Sequence, residues 1–182
     1  MCENIVDATV ALYNCCTQNL LPTPSKSHYT FNLRDISKVF QGILMITPRA
    51  CPDTDVFVQL WEHECMRVFH DRLINNADKA SFKEWIIEQQ KSKLGKQWEL
   101  DEVFHGECPL MFGDFLQAGV AREDRRYQQA KDVKKVSKLM SDSLDEYNEE
   151  TPNPMKLVFF NDACEHVSRL ARVLRSPRGN AM

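Results

Sequence analysis

The sequence predicts a mainly α-helical fold. Apolar residues recur with the helical period along most of the 182 residues, and the chain contains only six glycines and eight prolines. The prolines stand between the periodic stretches rather than inside them, as expected for helices joined by short connections. With 43% apolar and 27% charged residues, the composition is that of a globular protein.

The N-terminal half is expected to form four helices. The first runs from Ile5 to Leu20 and ends at the proline-rich residues 21–24. Asn32 is a suitable N-cap for a second helix over residues 33–46. Its expected buried stripe consists of Leu33, Ile36, Val39, Phe40, Ile43 and Leu44. A third helix begins near residues 52–53 and continues to Leu73, and a fourth ends at residues 94–95, where Gly95 is a C-terminal stop signal.

The pattern changes in the C-terminal half. Residues 108–116 lack a helical period and predict a short extended element. The charged residues 120–127 are interpreted as a solvated face, and the next helix carries Val133, Val136, Met140, Leu144 and Tyr147 on one side. Pro154 is predicted at the start of a final helix, whose aligned apolar residues extend from Phe160 to Leu174.

Composition also limits the function. The net charge of −3 gives no basic field for nucleic acid or an anionic membrane, and no apolar run approaches the roughly 20 residues of a membrane span. The seven cysteines are odd in number, two are adjacent, and a polar sequence follows Met1 in place of a signal peptide. We therefore expect reduced thiols in a soluble intracellular protein.

The usual catalytic patterns are missing. His63, Cys65 and His70 share one predicted helix, and His105 precedes Cys108 by three residues, but this is not the spacing of a zinc site. None of the thiols can be assigned as a nucleophile from the sequence. A phosphate-binding loop of the form G-x-x-x-x-G-K-[ST] is not found either. We predict no catalytic residue and no metal ligand.

Arg34 stands out because it lies in the first turn of the second predicted helix, where the helix dipole disfavours a cation. Two explanations remain open. Asp35 can compensate the charge of a solvated arginine, or Arg34 and the helix N-terminus can together bind an anion such as a phosphate.

Several motifs resemble axonemal dynein heavy chains. The longest is LPTPSKSHYTFNLRD at residues 21–35, which continues into VFQG at 39–42. Further similar stretches are WEHE at 61–64, RVF at 67–69, DRL at 71–73, PLMFGDF at 109–115, DACEHV at 162–167 and PRGN at 177–180. The resemblance, which also includes the rest of residues 155–180, extends over practically the whole chain.

The resemblance implies a specific place in the motor. Residues 1–103 would be the helical small subdomain, or lid, of the third AAA+ module, residues 104–152 a connector with a charged helix, and residues 153–182 the lead-in of the fourth module, ending before its Walker A loop. Arg34 takes the position of the second nucleotide sensor, which meets the γ-phosphate. Leu157, Val158 and Phe159 occupy the place of an adenine-contacting segment, with core packing as the alternative.

The family further implies ATP or ADP with magnesium as the cofactor of the intact motor, with none bound tightly by this chain alone. The implied partners are the rest of the heavy-chain ring, intermediate and light chains, and microtubules. Ciliary beating would be the activity, and the axoneme of the cytoplasmic cytoskeleton the location. The alternative is a stand-alone helical module that docks on other proteins through exposed apolar patches.

Overall fold

A computed structural model describes residues 1–104, 108–117, 119–121, 124–177 and 179–180. The described residues are mostly helical, so the predicted fold class is confirmed. They form two compact units. The first unit contains residues 1–45 and 51–104, and the second contains residues 46–50 and the described residues from 108 onward.

The first unit is a helical bundle. Its helices are α1 (Cys2–Asn19), α2 (Leu33–Ile43), α3 (Thr54–Cys65), α4 (Asn76–Lys93) and the short α5 (Leu100–Phe104). Helix α1 packs against α4, and α2 packs against α3. The largest fully buried side chains of this unit are Leu12, Tyr29, Leu60, Trp61, His63, Phe69, Phe82, Ile86 and Gln90. Burial of these mainly apolar and aromatic side chains stabilises the bundle.

Side-chain caps fix where the helices of this unit begin. Asn32, Asp53 and Asn75 precede α2, α3 and α4, and each accepts a hydrogen bond of 2.8 Å from a backbone amide of the following turn. The predicted N-cap at Asn32 is confirmed. Gly95 follows α4 with a φ of 68°, which a residue with a Cβ adopts only at a cost, so the predicted stop at this glycine is confirmed too.

The third helix is not continuous to Leu73, as the periodicity predicted. After Cys65 the chain widens into a single π-helical turn, Met66–His70, in which the Asp71 amide donates to the Met66 carbonyl oxygen at 3.0 Å. Phe69 lies in this turn and is fully buried beside Phe82, with their ring centroids 6.1 Å apart. Because the residues of a π-turn are as apolar as those of an α-helix, the apolar pattern of the sequence does not reveal the π-turn.

The buried side of α2 also differs from the predicted stripe. Leu33 is 73% and Leu44 is 81% exposed, whereas Asp35 and Gly42 are buried with Val39. At about 100° per residue, Asp35, Val39 and Gly42 share one side of the helix, and Leu33 and Leu44 lie more than a quarter turn away. The apolar pattern therefore predicted the buried face of α2 incorrectly, because two of the residues that are buried there, Asp35 and Gly42, are an acid and a glycine.

The second unit combines a two-stranded sheet with two helices. Strands β1 (Met111–Gly113) and β2 (Gln128–Ala130) are antiparallel, and Met111 pairs with Ala130. Helix α6 (Val133–Glu150) packs against α7 (Asn161–Arg175), which also contacts β1. The core residues are Met111, Ala130, Val136, Met140 and Cys164. The extended element predicted at residues 108–116 is confirmed by β1, whereas β2 was not predicted.

The last helix begins at Asn161 rather than at Pro154, so that expectation is wrong. The preceding residues are extended because side chains of α6 bind their backbone. The Asn148 amide group makes two hydrogen bonds with the backbone of Met155, at 2.8 and 2.9 Å. Ser137 Oγ donates to the Phe159 carbonyl oxygen at 2.8 Å. These bonds satisfy polar groups that a helix would otherwise use.

Candidate functional site

Arg34 lies in the first turn of α2 and is exposed to solvent. Its backbone amide donates to Asn32 Oδ1 at 2.8 Å. Among the residues that the structure describes, no acidic side chain forms an ion pair with the Arg34 guanidinium group. A cation thus stands at the positive end of a helix dipole, with its guanidinium group facing solvent.

Asp35 is engaged elsewhere and does not compensate Arg34. Its side chain is nearly buried, and its Oδ1 atom lies 2.7 Å from Arg72 Nη2. The other carboxylate oxygen accepts a hydrogen bond of 3.0 Å from the Asn32 amide, which completes a reciprocal cap. Lys38 Nζ is 3.9 Å from Oδ1. Of the two explanations open for Arg34, the one that relies on Asp35 finds no support in this geometry.

Arg72 binds the segment that leads into α2. Besides Asp35, its guanidinium group contacts the Thr30 carbonyl oxygen at 3.4 Å through Nη1, and its Cζ atom lies 5.0 Å from the centre of the Phe31 ring. Its Nε atom donates to the Val68 carbonyl oxygen at 3.1 Å in the π-turn. One side chain thereby ties α2 and the preceding loop to the end of α3.

A second cluster anchors the other end of this loop. Asp78, in the first turn of α4, lies 2.6 Å from Lys26 Nζ and accepts a hydrogen bond of 2.9 Å from the Tyr29 hydroxyl group. The same hydroxyl oxygen accepts from the Ile74 amide at 3.0 Å. Tyr29 is 2% exposed. The connection before Arg34 is therefore held at both ends.

The second predicted site lies in the extended segment before α7. Leu157 is 54% and Val158 is 81% exposed, while Phe159 is partly buried against the core of the second unit. Because side chains alternate along extended backbone, Leu157 and Phe159 line one apolar cleft of about 370 Å³ and Val158 does not. Further lining residues include Leu144 and Tyr147 of α6. An adenine contact by these residues stays a prediction.

Of the described residues considered for metal or thiol chemistry, Cys16, His63, Cys65 and Cys164 are buried. No group of three or more His, Cys, Asp or Glu side chains in the described part of the chain could hold a metal ion. His105 lies outside the described residues. Burial raises the pKa of the Cys16 thiol to about 12 and raises the pKa of the Cys65 thiol well above its ordinary value, so both thiols stay protonated at neutral pH.

No helix among the described residues is both long and apolar enough to cross a membrane. The ion pair of Arg72 with Asp35 was not predicted from the sequence, since an arginine 37 residues from an aspartate gives no periodic signal. The motif DRL at residues 71–73, within the family resemblance, is the only indication that the sequence offered.

Comparison with known proteins identifies the first unit. Residues 5–103 match the family model described as the AAA+ lid domain. This range starts in α1, includes Arg34 and Arg72, and ends in α5.

Similarity to individual proteins extends over nearly the whole chain. Dynein axonemal heavy chain 6 of Homo sapiens is 46% identical over 180 residues, which is 99% of this chain and 4% of the relative. Dynein axonemal heavy chains 1 and 2 of Homo sapiens are 40% and 42% identical, over 99% and 98% of this chain and 4% of each relative. The chain thus spans about 4% of the length of these relatives.

Proposed function

The chain belongs to the AAA+ lid domain family and is homologous to a segment of axonemal dynein heavy chains, and on this premise we propose that it is a nucleotide-sensing lid of such a heavy chain. Arg34 would be the sensing residue. The observation that carries the proposal is the placement of Arg34, which extends into solvent from the N-terminus of α2 while Asp35 is bound to Arg72.

This placement suits a phosphate oxygen. The N-terminus of a helix and a guanidinium group both favour an anion, and a charge-assisted contact to a γ-phosphate is lost when the phosphate leaves. Nucleotide hydrolysis in a neighbouring subdomain would then change the orientation of the lid. Arg34 would act as a sensor and not as a base.

The exposed apolar edge of α2 supports a lid that is covered by another part of the heavy chain. Leu33 is adjacent to Arg34, and Leu44 lies on the same side of the helix three turns later. Large exposed apolar residues beside a charged one are typical of a surface that binds protein. The partner would be the subdomain that holds the nucleotide.

The place in the ring follows the resemblance. The first unit would be the lid of the third AAA+ module, and the residues from 153 onward the lead-in of the fourth, with Leu157, Val158 and Phe159 beside its adenine. ATP or ADP with magnesium would bind between modules of the intact motor. Through the heavy chain, the lid would serve a microtubule motor with intermediate and light chains, in the axoneme of beating cilia. The chain alone carries no phosphate-binding loop and would not hydrolyse ATP.

The proposal is tested by exchanging Arg34 in a heavy chain whose other nucleotide sites are inactivated. We expect Arg34→Ala to lower the preference for a triphosphate analogue over the diphosphate by about tenfold to hundredfold, the usual worth of a charge-assisted hydrogen bond. Arg49→Ala removes another exposed arginine and is the matched control. An unchanged preference in Arg34→Ala would reject the sensor role.

A further inference from the structure

We propose that Arg72 is a positioning residue, which holds the first turn of α2 so that Arg34 points to its phosphate. This inference rests on the proposed function and assigns a second residue to the same site. Its basis is the set of contacts that Arg72 makes to the α2 cap, to the loop before it and to the π-turn.

All three nitrogen atoms of the Arg72 guanidinium group make contacts. Nε is bound to the Val68 carbonyl oxygen of the π-turn, Nη1 contacts the Thr30 carbonyl oxygen, and Nη2 binds Asp35. The guanidinium carbon Cζ lies over the Phe31 ring, 5.0 Å from its centre. A lysine has one nitrogen and no planar face, so it could not make these contacts together. The arrangement therefore requires an arginine.

Asp35 transmits the effect to Arg34. It is the third residue of α2, and its carboxylate also accepts the hydrogen bond from the Asn32 amide. Without Arg72 this carboxylate would be left nearly buried without its arginine partner, and the cap would loosen as the carboxylate moved towards water. Arg34 lies between Asn32 and Asp35 in the sequence, so the direction in which its side chain points would no longer be fixed. A displacement of about 1 Å costs up to a hundredfold in a positioned contact.

The other end of the loop is fixed independently. Lys26 and Tyr29 are bound to Asp78 on α4, at a different place from the Arg72 contacts. Removal of Arg72 should therefore loosen residues 30–35 while the loop start and α4 stay ordered. This local effect distinguishes positioning from a general loss of stability.

The first experiment measures hydrogen exchange in the 182-residue chain. Arg72→Leu should speed exchange of the Arg34 and Asp35 amides about tenfold more than exchange in α4. The control is Arg67→Leu, which breaks another arginine–aspartate ion pair in the same segment, the one to Asp71 at 3.1 Å. Equal acceleration in α2 and α4 would overturn the proposal.

If Arg72→Leu fails to fold, Arg72→Lys provides the same test. This variant keeps the charge but has one nitrogen in place of three. We expect at least about a threefold selective acceleration of exchange at Arg34 and Asp35. Exchange identical to that of the original chain would overturn the proposal.

The second experiment measures nucleotide preference in a heavy chain whose other nucleotide sites are inactivated. Arg72→Lys should lower the preference for a triphosphate analogue over the diphosphate by about threefold to tenfold, and should add nothing to Arg34→Ala in the double variant. If Arg34→Ala alone has no effect, the proposed function fails. If Arg34→Ala lowers the preference and Arg72→Lys does not, only the positioning role fails.

Discussion

Glu62 provides a quantitative test of the core of the first unit. It is fully buried in α3, and neither of its carboxylate oxygens has a hydrogen-bond partner among the described residues. Burial raises the pKa of this carboxyl group from 4.5 to about 8. The folded chain therefore holds a proton that the unfolded chain releases, because desolvation disfavours the charged form.

The sign and size of the effect follow from these two values. Between them the folded state binds more protons, so the stabilisation by protonated Glu62 is complete below pH 4.5 and is lost as the pH rises towards 8. Glu62 alone should lower the free energy of unfolding by about 2–3 kcal/mol between pH 5 and pH 7. Glu62→Gln has nearly the same shape and cannot titrate, so it removes this dependence.

The assay is urea unfolding of both chains at pH values from 5 to 8. Tryptophan fluorescence is a suitable signal, because Trp61, Trp85 and Trp98 are the three tryptophans and all lie in the first unit. His70 has a lowered pKa because of burial and acts in the opposite sense below its ordinary value of 6.5, but this contribution is common to both chains. From pH 5 to pH 7, the free energy of unfolding of Glu62→Gln should rise by about 2–3 kcal/mol relative to that of the original chain. Parallel pH profiles would refute the argument.

Three further substitutions test the packing and the caps by urea unfolding. Gly42→Ala should lower the free energy of unfolding by about 1–3 kcal/mol, since a Cβ atom there would overlap the buried Glu64 carboxylate. An unchanged free energy of unfolding would contradict the close approach of α2 and α3. Thr9→Val should lower the free energy of unfolding by about 1–3 kcal/mol, because Trp61 Nε1 donates to Thr9 Oγ1 at 2.9 Å in the core and would lose this acceptor; an unchanged free energy of unfolding would contradict the bond. Asp132→Ala should destabilise the second unit by about 1 kcal/mol, as its side chain caps two amides of α6, whereas Asp132→Asn should restore most of the loss.

Much of the fold could be predicted from local signals. The caps at Asn32 and Gly95 depend on side-chain chemistry and backbone freedom at single positions, so the sequence located them correctly. The apolar period of α1 and α4 reflects a contact between these two helices. The helical state of these segments could therefore be predicted from local signals.

The errors arose where long-range contacts decide the structure. The buried face of α2 includes Asp35, which is buried because Arg72 reaches it from a segment 37 residues away. The extended residues before α7 depend on Asn148 and Ser137 of α6. Neither contact is visible in a local pattern, and for the same reason the ion pair of Arg72 with Asp35 could not be predicted.

We propose above that Arg34 contacts the γ-phosphate of a nucleotide held by the adjoining subdomain. The most direct test is a cryo-EM structure of the heavy chain with a non-hydrolysable triphosphate analogue in that site. We expect an Arg34 guanidinium nitrogen about 3 Å from a γ-phosphate oxygen, with the hydrogen bonds of Asn32 and Asp35 at the N-terminus of α2 retained. A guanidinium group that points to solvent or pairs with a protein carboxylate while the triphosphate is bound would contradict it.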